Sequence, residues 1–153
     1  MSSSLQPFRH AVLGKEVALV WRGHGSAILL ELGELTPSNK RRRDGSLARP
    51  YGEVSLMIEW SWRIEGPRSI LGGSWSSERK WPELFKRLTG GRVTDVSTFG
   101  VLPEVLVSLS NGYRVASFMT AEGQPEWALI SRRNPKGTLR VSRGKLSIEP
   151  PSA

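Results

Sequence analysis

From Val54 to Glu65 the sequence holds a period of two for twelve residues. Val54, Leu56, Ile58, Trp60, Trp62 and Ile64 fall on one side, and Ser55, Met57, Glu59, Ser61, Arg63 and Glu65 on the other. Successive side chains of a strand point to opposite faces, so this pattern predicts one long half-buried strand, central or nearly so, with Trp60 and Trp62 both inward. An apolar face of that size needs a second layer to cover it, which confines the chain to sheet-based architectures.

The flanking sequence supplies neighbours for that strand. Ile28, Leu30 and Leu32 alternate inward with Leu29 and Glu31 outward, and Val17 to Trp21, across Gly23-His24-Gly25, reads as their hairpin partner. Trp81, Leu84, Phe85 and Leu88 stand at i, i+3, i+4 and i+7, which predicts a helix over 81–88 with Pro82 in its first turn and Gly90-Gly91 at its stop. Val105, Val107 and Leu109 lead into Ser110-Asn111-Gly112, after which Tyr113, Val115, Ser117 and Met119 alternate again. A loop with Gly112 left-handed at a bulge pairs Leu109 with Tyr113 and unites the two apolar sets on one face. Trp127, Leu129 and Ile130 predict a further strand, and Leu139 and Val141 facing Leu146 and Ile148 across Arg143-Gly144 predict a last short hairpin. Gly14-Lys15-Glu16-Val17 and Gly90-Gly91-Arg92-Val93 open two stretches of the same form, G-x-x-V-x-x-V. The expected fold is mainly β (α+β): two antiparallel β meanders forming a sheet or partly open barrel, with one short helix packed on it. Residues 1–12 read as an N-terminal extension, 13–130 as a single domain with a basic loop over 36–50, and 131–153 as a basic C-terminal tail or short hairpin.

Length and composition narrow the chemistry. At 153 residues the chain can bury a core without staples, and with no cysteine it has no disulfide, thiolate nucleophile or Cys-type metal site. No stretch approaches the roughly 18 apolar residues that span a bilayer, so a cytoplasmic protein without membrane contact is expected. The net charge of +8 is concentrated in two segments. Lys40, Arg41, Arg42, Arg43 and Arg49 face only Asp44 between Thr36 and Pro50, and Arg132, Arg133, Lys136, Arg140, Arg143 and Lys145 face only Glu149 after Ser131. The rest of the chain is close to neutral. Both segments are expected to lie outside the core and to be mobile without a partner, so that removing Ser38–Ala48 or the chain after Arg133 leaves the fold intact.

Catalytic parts are few. Gly72-Gly73-Ser74-Trp75-Ser76 misses the nucleophile-elbow form G-x-S-x-G at its last position, and His24 would have to serve as its base. No phosphate-cradling glycine spacing occurs. Glu59, Arg63 and Glu65 alternate in charge on the polar side of the long strand, as a solvated sheet face does. No metal or cofactor is expected. Single strands of nucleic acid are bound by exposed aromatics interleaved with basic residues. Trp60, Trp62 and Trp81, however, share their faces with aliphatic residues and read as core. Trp21 and Trp75, beside turns, read as anchors for a protein partner.

The order of motifs carries a resemblance. Gly14 to Val17, Glu31-Leu32-Gly33, Trp62-Arg63-Ile64-Glu65 and Gly72-Gly73-Ser74-Trp75 form a first half. Pro82-Glu83-Leu84, Gly91-Arg92-Val93, Leu109-Ser110-Asn111-Gly112 and Pro125-Glu126-Trp127-Ala128-Leu129 form a second. This resembles uncharacterised small bacterial two-half β domains, some of which look like immunity proteins encoded near toxin or phage-defence genes. The resemblance implies a non-enzymatic interaction module that docks to a toxin or defence component. The alternative is nucleic-acid binding through Lys40, Arg41, Arg42, Arg43, Arg132, Arg133, Lys136, Arg140, Arg143 and Lys145.

Overall fold

The computed structural model describes residues 4–122 and 126–151; Pro125 of the Pro125-Glu126-Trp127 motif lies outside them. Eleven antiparallel strands form two sheets among the described residues. The first contains β1 (Val17–Arg22), β2 (Ile28–Leu32), β3 (Val54–Ile58), β9 (Trp127–Ser131), β10 (Gly137–Ser142) and β11 (Lys145–Glu149), in that spatial order. The second runs β5 (Ile70–Gly73), β4 (Trp62–Glu65), β8 (Arg114–Ser117), β7 (Glu104–Leu109) and β6 (Val93–Phe99). Inward side chains of both sheets merge into one buried cluster, and neither sheet closes into a barrel. The expected β-rich fold holds, and so does the bulged loop: the Leu109 N–H donates to the Tyr113 carbonyl at 2.9 Å with Gly112 at φ +90°.

The long strand is the main correction. It breaks after Ile58, crosses from one sheet to the other through Glu59-Trp60-Ser61, and resumes at Trp62 as β4. Period-two alternation survives on either side of the crossing, with Leu56, Ile58, Trp62 and Ile64 buried, but not within it. Trp60, expected inward, is 47% exposed, whereas Trp62 is fully buried. A twelve-residue strand is about twice the usual length, and one chain can feed both layers of a two-sheet fold only by such a bend.

Residues 5–12, read as an extension, form a helix, α1 (Leu5–Val12), that buries Leu5, Phe8 and Val12 in the core. The predicted helix α2 (Trp81–Leu88) buries Trp81, Leu84 and Leu88 at the same spacing, 76 residues later. The offset is kept through Gly14 and Gly90, Val17 and Val93, and Val20 and Val96. Both glycines sit at positive φ, +80° and +93°, where a side chain would be strained. The two segments bond each other reciprocally. Gly14 N–H donates to the Val93 carbonyl at 2.8 Å and Gly90 N–H to Val17 at 2.9 Å, while Val17 N–H donates to Gly91 at 2.7 Å and Val93 N–H to Lys15 at 2.9 Å. The weak sequence echo thus marks a repeated unit of helix, three-stranded meander and hairpin, and an antiparallel bridge joins Glu16 to Arg92 where the two repeats meet.

Each unit gives its hairpin away. β4–β5 leaves the first meander to join β8, and β9–β10 leaves the second to join β3. Trp62 and Trp127 open the two exchanged hairpins, and both indole N–H groups donate to the first turn of their own meander, to the Ser26 carbonyl at 2.6 Å and the Pro103 carbonyl at 2.9 Å.

The C-terminal segment is not a tail. β10 and β11 extend the first sheet and Leu139 is fully buried, so truncation after Arg133 would remove core and not only charge. Three of its four arginines are tied down. Arg132 donates to Ser55 Oγ at 2.8 Å and lies over the Tyr51 ring, Arg133 pairs with Glu53 at 3.0 Å, and Arg140 pairs with Glu126 and with Glu149.

Glu53 gathers several of these ties. Its carboxylate accepts from the Glu34 N–H at 2.8 Å, from Lys15 Nζ at 2.9 Å and from Arg133. The backbone bond first, then Lys15, holds its pKa below the ordinary value of 4.5 despite opposing burial. A group whose folded pKa is depressed stabilises the fold above its unfolded pKa and loses that contribution as pH falls through the folded value. Urea midpoints measured from neutral to acid pH should therefore show the advantage of the native protein over Glu53→Gln shrinking below the ordinary glutamate range. Parallel curves for the two proteins would contradict this role.

Candidate functional site

The crossing segment and the β1–β2 turn build a groove of about 930 Å³. Its apolar floor comes from the outer face of the first sheet: Trp21 on β1, Leu29 on β2 and Met57 on β3, with Trp60 standing at the rim. The Ser26 hydroxyl donates to the Trp60 carbonyl at 2.9 Å and fixes the segment that carries this exposed ring. Arg22, His24, Arg42 and Arg49 line the same groove against a single carboxylate, Glu59.

The loop from Thr36 to Pro50 is a short, locally braced finger. Isolated bridges join Thr36 to Tyr51 and Arg41 to Leu47, and the Ala48 N–H donates to Lys40 at 2.9 Å. Asp44 accepts from the backbone and hydroxyl of Ser46 at 2.9 and 2.6 Å, and these bonds, the hydroxyl's first, hold its pKa below the ordinary value. Residues 39–47 are all exposed, as expected of a segment outside the core. The finger folds back so that Arg49 lies over the Trp21 ring, 4.9 Å from its centroid, and Arg42 reaches the groove wall.

Trp21 is held from below. Its indole N–H donates to Glu31 Oε2 at 2.8 Å, and Glu31, expected to face solvent, is 1% exposed. The reason is that the chain at Tyr51-Gly52 crosses over it, and the Gly52 N–H donates to Glu31 Oε1 at 3.0 Å. The crossing is close enough that a Cβ on Gly52 would lie 2.5 Å from the Leu32 carbonyl oxygen. Ser55 also donates to Glu31, and Arg132 donates to Ser55. A buried polar chain thus sets the plane of the Trp21 ring.

The groove does not end at Trp21. A second depression of about 460 Å³ shares Trp21, Arg22 and Arg49 with the first and continues to Phe85 and Lys86 on α2. Arg22 itself is committed to structure, paired with Glu78 at 3.0 Å and lying over the Trp81 ring at 5.0 Å. The result is an open track that runs from Trp60 past Trp21 to Phe85, with Arg42, Arg49 and Lys86 among these rings.

Of the residues singled out in the sequence, the structure brings Trp21 and Arg42 together. Trp75 is 74% exposed but lines a different pocket, with Ile70 and Phe118 on the second sheet. Lys40, Arg41 and Arg43 stand exposed on the finger, Arg41 donating to the Gly45 carbonyl. Lys136, Arg143 and Lys145 are exposed around β10 and β11, away from the residues that line the track. Trp60, expected in the core, and Arg49, counted only among the charges of the basic loop, were not expected at a site. Arg49 could have been found from its place in the basic loop, whereas nothing local announces that Trp60 turns outward. The serines of Gly72-Gly73-Ser74-Trp75-Ser76 bond to backbone, Ser74 Oγ with Trp62 and Ser76 Oγ with Gly73, while His24 lines the other groove. Among the described residues no group of three or more His, Asp or Glu could hold a metal ion, and no helix is long and apolar enough to cross a membrane.

No family model, no curated protein and no solved structure matches the chain.

Proposed function

We propose that this protein is a non-enzymatic binding module whose track from Trp60 past Trp21 to α2 takes single-stranded nucleic acid. The observation that carries the reading is Trp60: an exposed indole on a segment whose backbone carbonyl is held by the Ser26 hydroxyl, lining the same groove as Trp21, Arg42 and Arg49. Bases of any sequence stack on aromatic faces while cations follow the phosphates, and that interleaving is what the track offers. An enzyme needs a positioned acid, base or nucleophile, and the track carries none beyond His24 and Glu59. The protein-docking reading anchored jointly on Trp21 and Trp75 has less behind it, because those side chains line separate pockets.

Anisotropy titration of a labelled oligothymidine against the intact protein at two salt concentrations tests this. Binding should be tighter for the single strand than for a duplex of the same length. Trp60→Ala should weaken it roughly 5- to 150-fold, since stacking of one base is worth about 1–3 kcal/mol. Alanine at Arg42 and Arg49 should lower the salt slope by about 0.7 for each phosphate that is no longer neutralised. Failure to bind at low salt, or indifference to Trp60→Ala, would reject the reading in favour of a protein partner.

A further inference from the structure

We propose that β11 is a self-recognition edge through which two copies of this chain pair antiparallel. The first sheet has six strands and the second five, and β11 is the end strand of the larger one. Its inward face carries Leu146 opposite Val141 and Ile148 opposite Leu139, yet Ile148 is 49% exposed where Leu139 is fully buried. The β6–β7 turn adds to this uncovered apolar surface. Leu102, 72% exposed, lies so near Gly144 that a Cβ there would come within 2.9 Å of it, and its neighbour Val101 is 97% exposed.

The sequence of the edge names the occupant. Lys145-Leu146-Ser147-Ile148-Glu149 is complementary to itself when two copies run antiparallel about Ser147: Lys145 meets the other copy's glutamate and Leu146 its isoleucine. The backbone parity agrees. Arg143 and Gly144, at φ +51° and +76°, make a two-residue turn closed by Ser142 and Lys145, so Lys145, Ser147 and Glu149 direct their peptide groups to β10. Leu146 and Ile148 then direct theirs outward, and in the register about Ser147 these are the residues that face each other. Pro150 has no N–H to donate and stops the ladder one residue beyond Glu149. Natural sheet edges are often blunted by an inward charge, a bulge or a covering loop, none of which β11 shows among the described residues, and by lysine or proline, which here stand only at its two ends, Lys145 and Pro150. Nucleic-acid binding on the track involves none of these residues, so the two readings fail independently.

The test is molar mass by light scattering and sedimentation at about 100 μM protein and low salt, where association and exposed ion pairs are both favoured. The native protein should run at twice its 17.0 kDa chain mass. Lys145→Glu places two glutamates opposite each other at both ends, Glu149→Lys two lysines, and each should weaken the dimer about tenfold because two pairs turn from attraction to repulsion. The double exchange Lys145→Glu/Glu149→Lys should restore it, although it also removes the Arg140–Glu149 pair at 3.1 Å. Circular dichroism confirms that each variant is folded. A native protein that stays monomeric, a dimer indifferent to the single reversals, or a double exchange that fails to rescue would each overturn the proposal.

Discussion

Replacing Trp62 by alanine is expected to unfold the domain or leave it barely folded. The side chain, on β4, is fully buried where three parts of the chain converge: its ring lies 5.5 Å from Trp81 and 6.0 Å from Phe85 of α2, and its indole N–H reaches the Ser26 carbonyl in the β1–β2 turn. Truncation of a buried tryptophan costs about 3–5 kcal/mol through lost transfer energy and the cavity left behind, against a total stability of about 5–15 kcal/mol for a domain. The Ser26 carbonyl also loses its donor. Trp60, two residues away, makes a direct contrast. Its alanine variant should stay within about 0.5 kcal/mol of the native protein, as exposed substitutions usually do. Urea unfolding followed by circular dichroism compares the two. Equal stability of the Trp62→Ala and Trp60→Ala proteins would refute the placement of the crossing.

Glu31→Ala should cost about 3 kcal/mol, although the site lies outside the core between the sheets. Three donors converge on that buried carboxyl group, the half-buried Trp21 indole and the buried Gly52 N–H and Ser55 hydroxyl. A buried donor left without its acceptor costs about 1–3 kcal/mol, and the three share a space too tight for all of them to find substitutes. The change should also free the Trp21 ring, so that oligonucleotide affinity falls along with the unfolding midpoint. A Glu31→Ala protein within about 0.5 kcal/mol of the native one, a change typical of an exposed side chain, would show that the Tyr51-Gly52 crossing does not seal the site.

Much of the fold was legible in the sequence because its signals are periodic and local. The 81–88 helix, the β1–β2 and β10–β11 hairpins and the Leu109–Tyr113 loop each follow from spacing plus a glycine or proline at the turn. What escaped was governed by contacts between distant residues. The break at Glu59-Trp60-Ser61 contains no glycine or proline; the Glu59 N–H still donates to the carbonyl of Glu126, just before β9, at 2.9 Å, and only beyond it does the chain leave the first sheet for β8. Glu31 looked solvated because alternation assigns a face and does not say that another segment will cover it. The first helix hid behind Ser-rich residues and Pro7, although Leu5, Phe8 and Val12 repeat the spacing of Trp81, Leu84 and Leu88. The candidate site was half legible: Trp21 and the basic loop stood out, but their meeting with Trp60 depends on the bend between the sheets.

The exchange of hairpins has a bearing on how the chain must assemble. Strand β3 waits for β9, with Val54 opposite Ser131, and β4 waits for β8, with Trp62 opposite Ser117. Neither half can finish a sheet from its own residues, so a nascent chain carrying only the first half exposes β3 as an open edge until the second half has been synthesised. Pairings this distant in sequence make folding slow, because loop closure must precede the contacts that reward it. The same geometry also describes two identical half-length chains trading hairpins across a two-fold axis.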